Sequence, residues 1–158
     1  NLGSLVLVAD DMAKAGESAD EIMAKLNDMI PRGRLYFLVD TLEYLAKGGR
    51  IGGAKRLVAE LLEIKPILQV KCGQIEAFEQ QRTKKRALAR LVEVVAEQCP
   101  GGESAHLCML QVEAQKEAES LVTELKSRVN VPQIPIYELP PAIVVHAGPR
   151  AMGVGFFV

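Results

Sequence analysis

Residues 65–80 constrain the fold more than any other stretch of this chain. Lys65–Lys71 and Gln74–Gln80 are two strand-like runs separated only by Cys72-Gly73. So short a connection, with a glycine to supply the turn, joins its flanking strands as an antiparallel hairpin. Pro66 fits because proline is tolerated at a strand's start. Around the hairpin, helical and strand-like runs alternate along the chain. The expected architecture is therefore α/β: a mixed sheet with helices packed on it, a two-layer sandwich.

The other elements follow from local signals. Leu5–Lys14 is apolar and free of breakers, and Gly16 is placed to end it as a helix. Ser18-Ala-Asp-Glu21 reads as a capping box that opens a second helix, bounded by Pro31 and Gly33. Arg34–Asp40 is an apolar, aromatic run expected to form a buried strand, after which Asp40 or Thr41 caps a short helix over 42–47. Ala54–Glu63 places Leu57, Val58, Leu61 and Leu62 at helical spacing. Thr83–Gln98 is an amphipathic helix with Leu88, Leu91, Val92 and Val95 on one side. His106–Val112 reads as a strand and Gln115–Val129 as a helix. Ile134–Glu138, Ala142–Val145 and Val154–Val158 read as short strands split by prolines and glycines.

Composition removes several function classes. Nineteen basic against 20 acidic residues leave a net charge of −1, which is no electrostatic footprint for nucleic acid or an anionic membrane. The three cysteines, Cys72, Cys99 and Cys108, form no Cys-x-x-Cys pair. Their spacing argues against a zinc site or a disulfide frame and fits a reducing, cytoplasmic setting. No apolar run approaches the ~20 residues that span a bilayer, so no stable membrane insertion is expected. Nothing resembles a nucleophile elbow, a metal-spaced His/Glu pair or a singled-out pair of carboxylates. Neither an enzyme nor a metal site is expected.

Three places are candidates for ligand chemistry. Arg50 stands in Gly48-Gly49-Arg50-Ile51-Gly52-Gly53, where glycines let a ligand approach the backbone and expose amides to an anion. The competing reading is a helix C-cap followed by a loose connector with a solvated arginine. The stretch lacks the Lys-Ser/Thr of a nucleotide phosphate loop. His146 is expected at the end of the strand over Ala142–Val145, directly before Ala147-Gly148-Pro149. A neutral imidazole there suits a carboxylate or hydroxyl network, while the competing reading bonds it to a loop carbonyl. His106 is expected to be structural. Arg82 precedes a helix whose first half carries Lys84, Lys85, Arg86 and Arg90. Cations are disfavoured at that end of the helix dipole, so either an acidic partner or plain solvation accounts for them.

Taken together, Val39-Asp-Thr-Leu-Glu-Tyr-Leu45, Gly48-Gly-Arg-Ile51, Ile64-Lys-Pro-Ile67, Gly73, Arg82-Thr83 and His146-Ala-Gly-Pro149 resemble the DegV family of bacterial fatty-acid-binding proteins. The likeness spans nearly the whole chain in order. It implies a two-domain α/β protein of which this chain is the C-terminal portion: a leading helical segment, 1–33, and a lipid-binding domain, 34–158. The resemblance places a fatty acid carboxylate at Arg50 and His146, with Gly49, Ile51 and Gly148 beside them and Met152-Gly153-Val154-Gly155 continuing the glycine loop. The Thr and Ser that the family's N-terminal domain contributes have no counterpart here.

The resemblance further implies a carrier that presents its bound acid to a separate fatty acid kinase, which makes acyl phosphate for phospholipid synthesis. Arg82, Lys84 and Lys85 would then dock that kinase. No cofactor is implied beyond the long-chain fatty acid as ligand. The rival is a regulatory or protein-interaction module in which the lipid is only structural. Physical chemistry agrees with the ligand class: a dozen buried methylenes contribute on the order of 10 kcal/mol before ordering costs, and a buried carboxylate requires a cation and donors. The chain opens on Asn1, and without the other domain an apolar surface around Leu2–Val8 is expected to be covered by self-association.

Overall fold

The computed structural model describes residues 1–57 and 64–158. Helix α1 (Leu2–Lys14) is followed by Gly16 at φ +86°. Helix α2 (Ala19–Met29) opens on the expected capping box: Ser18 Oγ accepts the Glu21 amide at 3.3 Å, and the Glu21 carboxylate accepts the Ser18 amide at 2.8 Å. A 3-10 turn, Ile30–Arg32, then leads into β1 (Gly33–Leu38). Helix α3 (Glu43–Lys47) follows, with the Thr41 hydroxyl accepting the Glu43 amide.

Strands β2 (Lys65–Lys71) and β3 (Gln74–Gln81) form the expected hairpin. Cys72 and Gly73 both have positive φ, +49° and +75°, as a tight hairpin turn of the primed type demands. Next come α4 (Lys84–Gln98), β4 (Cys108–Gln111), α5 (Gln115–Arg128), β5 (Ile136–Glu138), α6 (Pro141–Ala147) and β6 (Met152–Phe157).

The six strands lie in the order β3-β2-β1-β6-β4-β5. Only β4–β5 is parallel among the described pairs, so the sheet is mixed, as the hairpin required. Helices α4 and α5 cover one face. There Leu91, Val92, Val95, Ala118 and Leu125 pack on Tyr36, Leu38, Met109, Met152, Val154 and Phe156 in one buried cluster. A second cluster on the opposite face joins Leu42, Leu45, Leu68, Val112, Ala147 and Ala151. This face carries α3 and α6.

Several expectations need correction. The strand expected over Ala142–Val145 is helix α6, so His146 sits in the last turn of a helix and not at a strand end. Three β-branched residues in a row favour a strand, yet Pro141 at the first turn and Gly148 at the terminus, φ +77°, favour a helix. Helical spacing also lets Val144 and Ala147 face the second cluster together. Met152-Gly153-Val154-Gly155 is not a loop but most of β6. His106 precedes β4 in a left-handed turn, φ +44°, rather than lying within the strand. Of the helix expected over Ala54–Glu63, Gly52–Leu57 is a 3-10 turn, and the remainder lies outside the described residues.

Candidate functional site

Strand alternation creates a space on the α3/α6 face. Odd residues of β1 and β6 point toward it, and opposite Phe37 and Leu35 stand Gly153 and Gly155. Glycine on a strand's interior leaves one face without side chains. The result is a cavity of about 410 Å³ whose walls include Phe37, Leu45, Val70, Leu110 and Ile143. The same strand fills the other face with Met152, Val154 and Phe156, all at most 1 % exposed. Gly153 is structurally tied to Phe37, whose Cβ would lie 2.9 Å from an added Cβ.

The rim is built from two helix ends that interlock. A methyl group at Gly48, the end of α3, would overlap Nδ1 of His146 from α6. Conversely, one at Gly148, the end of α6, would overlap the ring of Tyr44 from α3. Each helix thus accepts the other's ring on a terminal glycine. Helix α3 ends in a Schellman motif: the Arg50 amide donates to Leu45 O at 2.9 Å and the Gly49 amide to Ala46 O at 3.1 Å. Gly49 takes the left-handed conformation that this motif requires, φ +68°.

This motif turns the chain so that Arg50 and His146 line one cavity. Arg50 Nη1 donates to Gly48 O at 3.2 Å, so both side chains converge on the same glycine. His146 Nδ1 is buried without a hydrogen-bond partner among the described residues. An orphan polar atom of this kind costs roughly 1–3 kcal/mol. The rim is therefore cationic and polar over an apolar interior, an arrangement that suits an amphiphile with an anionic head.

The remaining predicted positions divide. Ile51 packs against the second cluster and Gly148 is buried, whereas Gly49 is exposed. Arg82, Lys85 and Arg86 are exposed at the start of α4 and have no ion pair among the described residues. Lys84 differs: its Nζ lies 3.2 Å from Glu117 and 3.5 Å from Asp40, and Arg150 approaches the same two carboxylates. Arg90 is held by Glu79, Glu93 and Glu97. Its hydrogen bonds to Glu79 hold that carboxyl below the usual range. Burial lowers the His106 pKa and raises those of Cys99 and Cys108, and none of these three lines the cavity.

Sequence reasoning missed the floor of the site. Gly153 and Gly155 carried a legible signal, since Met152, Val154 and Phe156 alternate with residues that have no side chain or face the other way. It also missed the wall that α6 supplies through Ala142 and Ile143. A second, more polar depression of about 860 Å³ adjoins the first, sharing Leu35 and Val70 and bordered by Asn1, Leu2, Leu5 and Ile30. Beside it Leu2, Val6 and Leu7 of α1 are 76, 59 and 55 % exposed, which is the apolar surface anticipated around Leu2–Val8.

Over its whole length, residues 1–158, the chain matches the model of the DegV family, which describes its members as uncharacterised proteins. It belongs to the DegV family. A DegV domain-containing protein of Streptomyces coelicolor is 36% identical over 154 residues, covering 97% of this chain and 54% of that protein. A fatty acid binding DegV family protein from Streptococcus agalactiae superposes with a TM-score of 0.88 at 32% identity, covering 98% of this chain and 55% of the other. A DegV family protein from Thermus thermophilus, whose structure concerns fatty acid binding, gives 0.86 at 30% identity, with coverage of 98% and 56%. The chain thus spans about half the length of these DegV relatives. No described helix is long and apolar enough to cross a membrane.

Proposed function

We propose that this chain forms the tail-binding part of a fatty-acid-binding protein, with the acyl chain in the cavity on the α3/α6 face. The observation that carries the reading is one cavity combining an apolar interior, floored by Gly153, with Arg50 and His146 on its lining. Arg50 supplies the charge for a carboxylate and His146 a ring nitrogen for a hydrogen bond. Fatty acid binding by the structurally similar proteins from Streptococcus agalactiae and Thermus thermophilus supports the ligand class. In this reading the protein is a carrier in the cytoplasm and not a catalyst. It presents the carboxylate to a fatty acid kinase that forms the acyl phosphate. Arg82 and Lys85, exposed and without ion pairs among the described residues, are the docking cations, and Lys84 joins them only by leaving Asp40 and Glu117.

The test is direct. Protein purified from cells and extracted with solvent is expected to release a long-chain acid in near-stoichiometric amount by mass spectrometry. Arg50→Ala and His146→Ala are each expected to weaken binding ten- to a hundredfold, the range for a hydrogen bond to a charged group. Absence of any acyl chain, or undiminished affinity in both variants, would refute the reading. Acyl-phosphate synthesis in a reconstituted kinase assay, reduced by Arg82→Ala, separates a carrier from a module in which lipid is only structural.

A further inference from the structure

We propose that the Asn1 side chain is the far stop of the acyl track, and so sets the longest tail that fits without displacing α1. The inference rests on reading the cavity as an acyl site. The register of β1 on β6 defines a path leading away from the Arg50/His146 rim. Phe37 faces Gly153, then Leu35 faces Gly155, then Gly33 faces Phe157. Gly153 and Leu35 belong to the apolar cavity, whereas Gly33 and Phe157 belong to the adjoining depression. Leu35 and Val70 line both. The two spaces thus adjoin along the β1/β6 register as one trough, which at its wetter end is also bordered by Arg34, Tyr36 and Gln69.

The Asn1 carboxamide lies across that trough. Its Oδ1 is 2.6 Å from the position of a Cβ on Gly155, and its Nδ2 is 2.8 Å from that of a Cβ on Gly33. The amide therefore fills the side-chain space that both glycines leave vacant. Nδ2 is pinned by donating to Arg34 O at 3.1 Å, while Oδ1 is buried with no partner among the described residues. Cys108 Sγ stands on the other side, 3.5 Å from the same Cβ position. A methyl terminus advancing past Gly153 thus meets a fixed polar group about two strand residues on, roughly 6.6 Å. Beyond that point, further methylenes must dislodge Asn1 or turn aside toward the wetter depression.

The experiment measures displacement of cis-parinaric acid by an even-numbered homologous series of saturated straight-chain acids, using the full polypeptide. In the wild type, affinity should climb about fourfold per added methylene up to a break length and then flatten or fall. Asn1→Ala should move the break to longer acids and strengthen binding of those beyond the original break by tenfold or more. Asn1→Leu loses the bond to Arg34 but keeps the bulk, and should leave the break in place. An unmoved break in Asn1→Ala overturns the stop while leaving the acyl reading intact. The same shift in both variants also overturns it, because loosening of α1 and not volume would then be responsible. If no acid in the series displaces the probe from the wild type, the acyl reading fails and the stop with it.

Discussion

The two faces of the sheet are made by the same six strands and serve opposite ends. Toward α4 and α5, β6 presents Met152, Val154 and Phe156 to a continuous packed layer, and Leu91, Met109 and Leu125 are fully buried there. Toward α3 and α6, the intervening positions of the same strand are Gly153, beside which a space of about 410 Å³ remains, and Gly155, whose side-chain space the Asn1 carboxamide takes. Helix length follows the same division. Among the described residues, the filled face is covered by helices of 15 and 14 residues, the hollow one by helices of 5 and 7. A short helix presents little apolar face, so α3 and α6 depend on each other's terminal glycines for their contact. The packed layer that carries most of the buried core therefore lies on one side, and the open cavity on the other.

The sharpest way to break this division is a truncation on the filled face. Phe156 is fully buried and packs 6.2 Å, centroid to centroid, from Tyr36. Phe156→Ala is expected to cost about 3–5 kcal/mol in urea unfolding. The molecules that remain folded should keep the acyl-length profile of the wild type. A loss below about 1 kcal/mol, or a changed profile, would mean that the faces are not separable.

A smaller effect on stability, but a large one on binding, is expected from Gly48→Ala. Gly48 has helical φ and ψ, −78° and −2°, so its backbone accepts alanine, and helix propensity alone would favour the change by up to about 1 kcal/mol. The added methyl overlaps His146 Nδ1 and must push the imidazole away from the rim. Unfolding free energy should shift by no more than about 1 kcal/mol in either direction. Fatty acid affinity should fall tenfold or more, as in His146→Ala. Unchanged affinity would show that the imidazole need not rest on Gly48.

These particular residues also show where the sequence could be read and where it could not. The hairpin at Cys72-Gly73, the Ser18–Glu21 box and helix α4 were legible because each depends on interactions within a few residues. Helix α6 was not, since its β-branched run favours a strand and only contact with α3 and the second cluster decides otherwise. Arg50 and His146 could be singled out one at a time as a cation and an imidazole in glycine-rich surroundings. That they meet at Gly48 depends on residues nearly 100 positions apart. The floor at Gly153 was misread because a glycine signals a loop unless its neighbours' period of two is weighed.

The smallest predicted effect lies at the edge of the filled face. Glu79 of β3 receives two hydrogen bonds from Arg90 of α4, at 2.9 and 3.0 Å, and these hold its carboxyl below the usual range. The pair ties the hairpin to α4 but is partly exposed, so Glu79→Gln should cost only about 0.5–1 kcal/mol. The sign of its pH dependence is fixed by the direction of the shift. A carboxylate whose folded pKa is depressed stabilises fully above its unfolded value, about 4.3, and loses that contribution as pH falls through the folded value. The stability gap between wild type and Glu79→Gln should therefore be constant from neutral pH down to about 5 and close below about 4. Salt should narrow it at neutral pH. A gap that widens on acidification would mean that the hairpin is held to α4 by packing, with Phe78 set against the cluster that Leu88 and Leu91 of α4 enter, and that the ion pair opposes it.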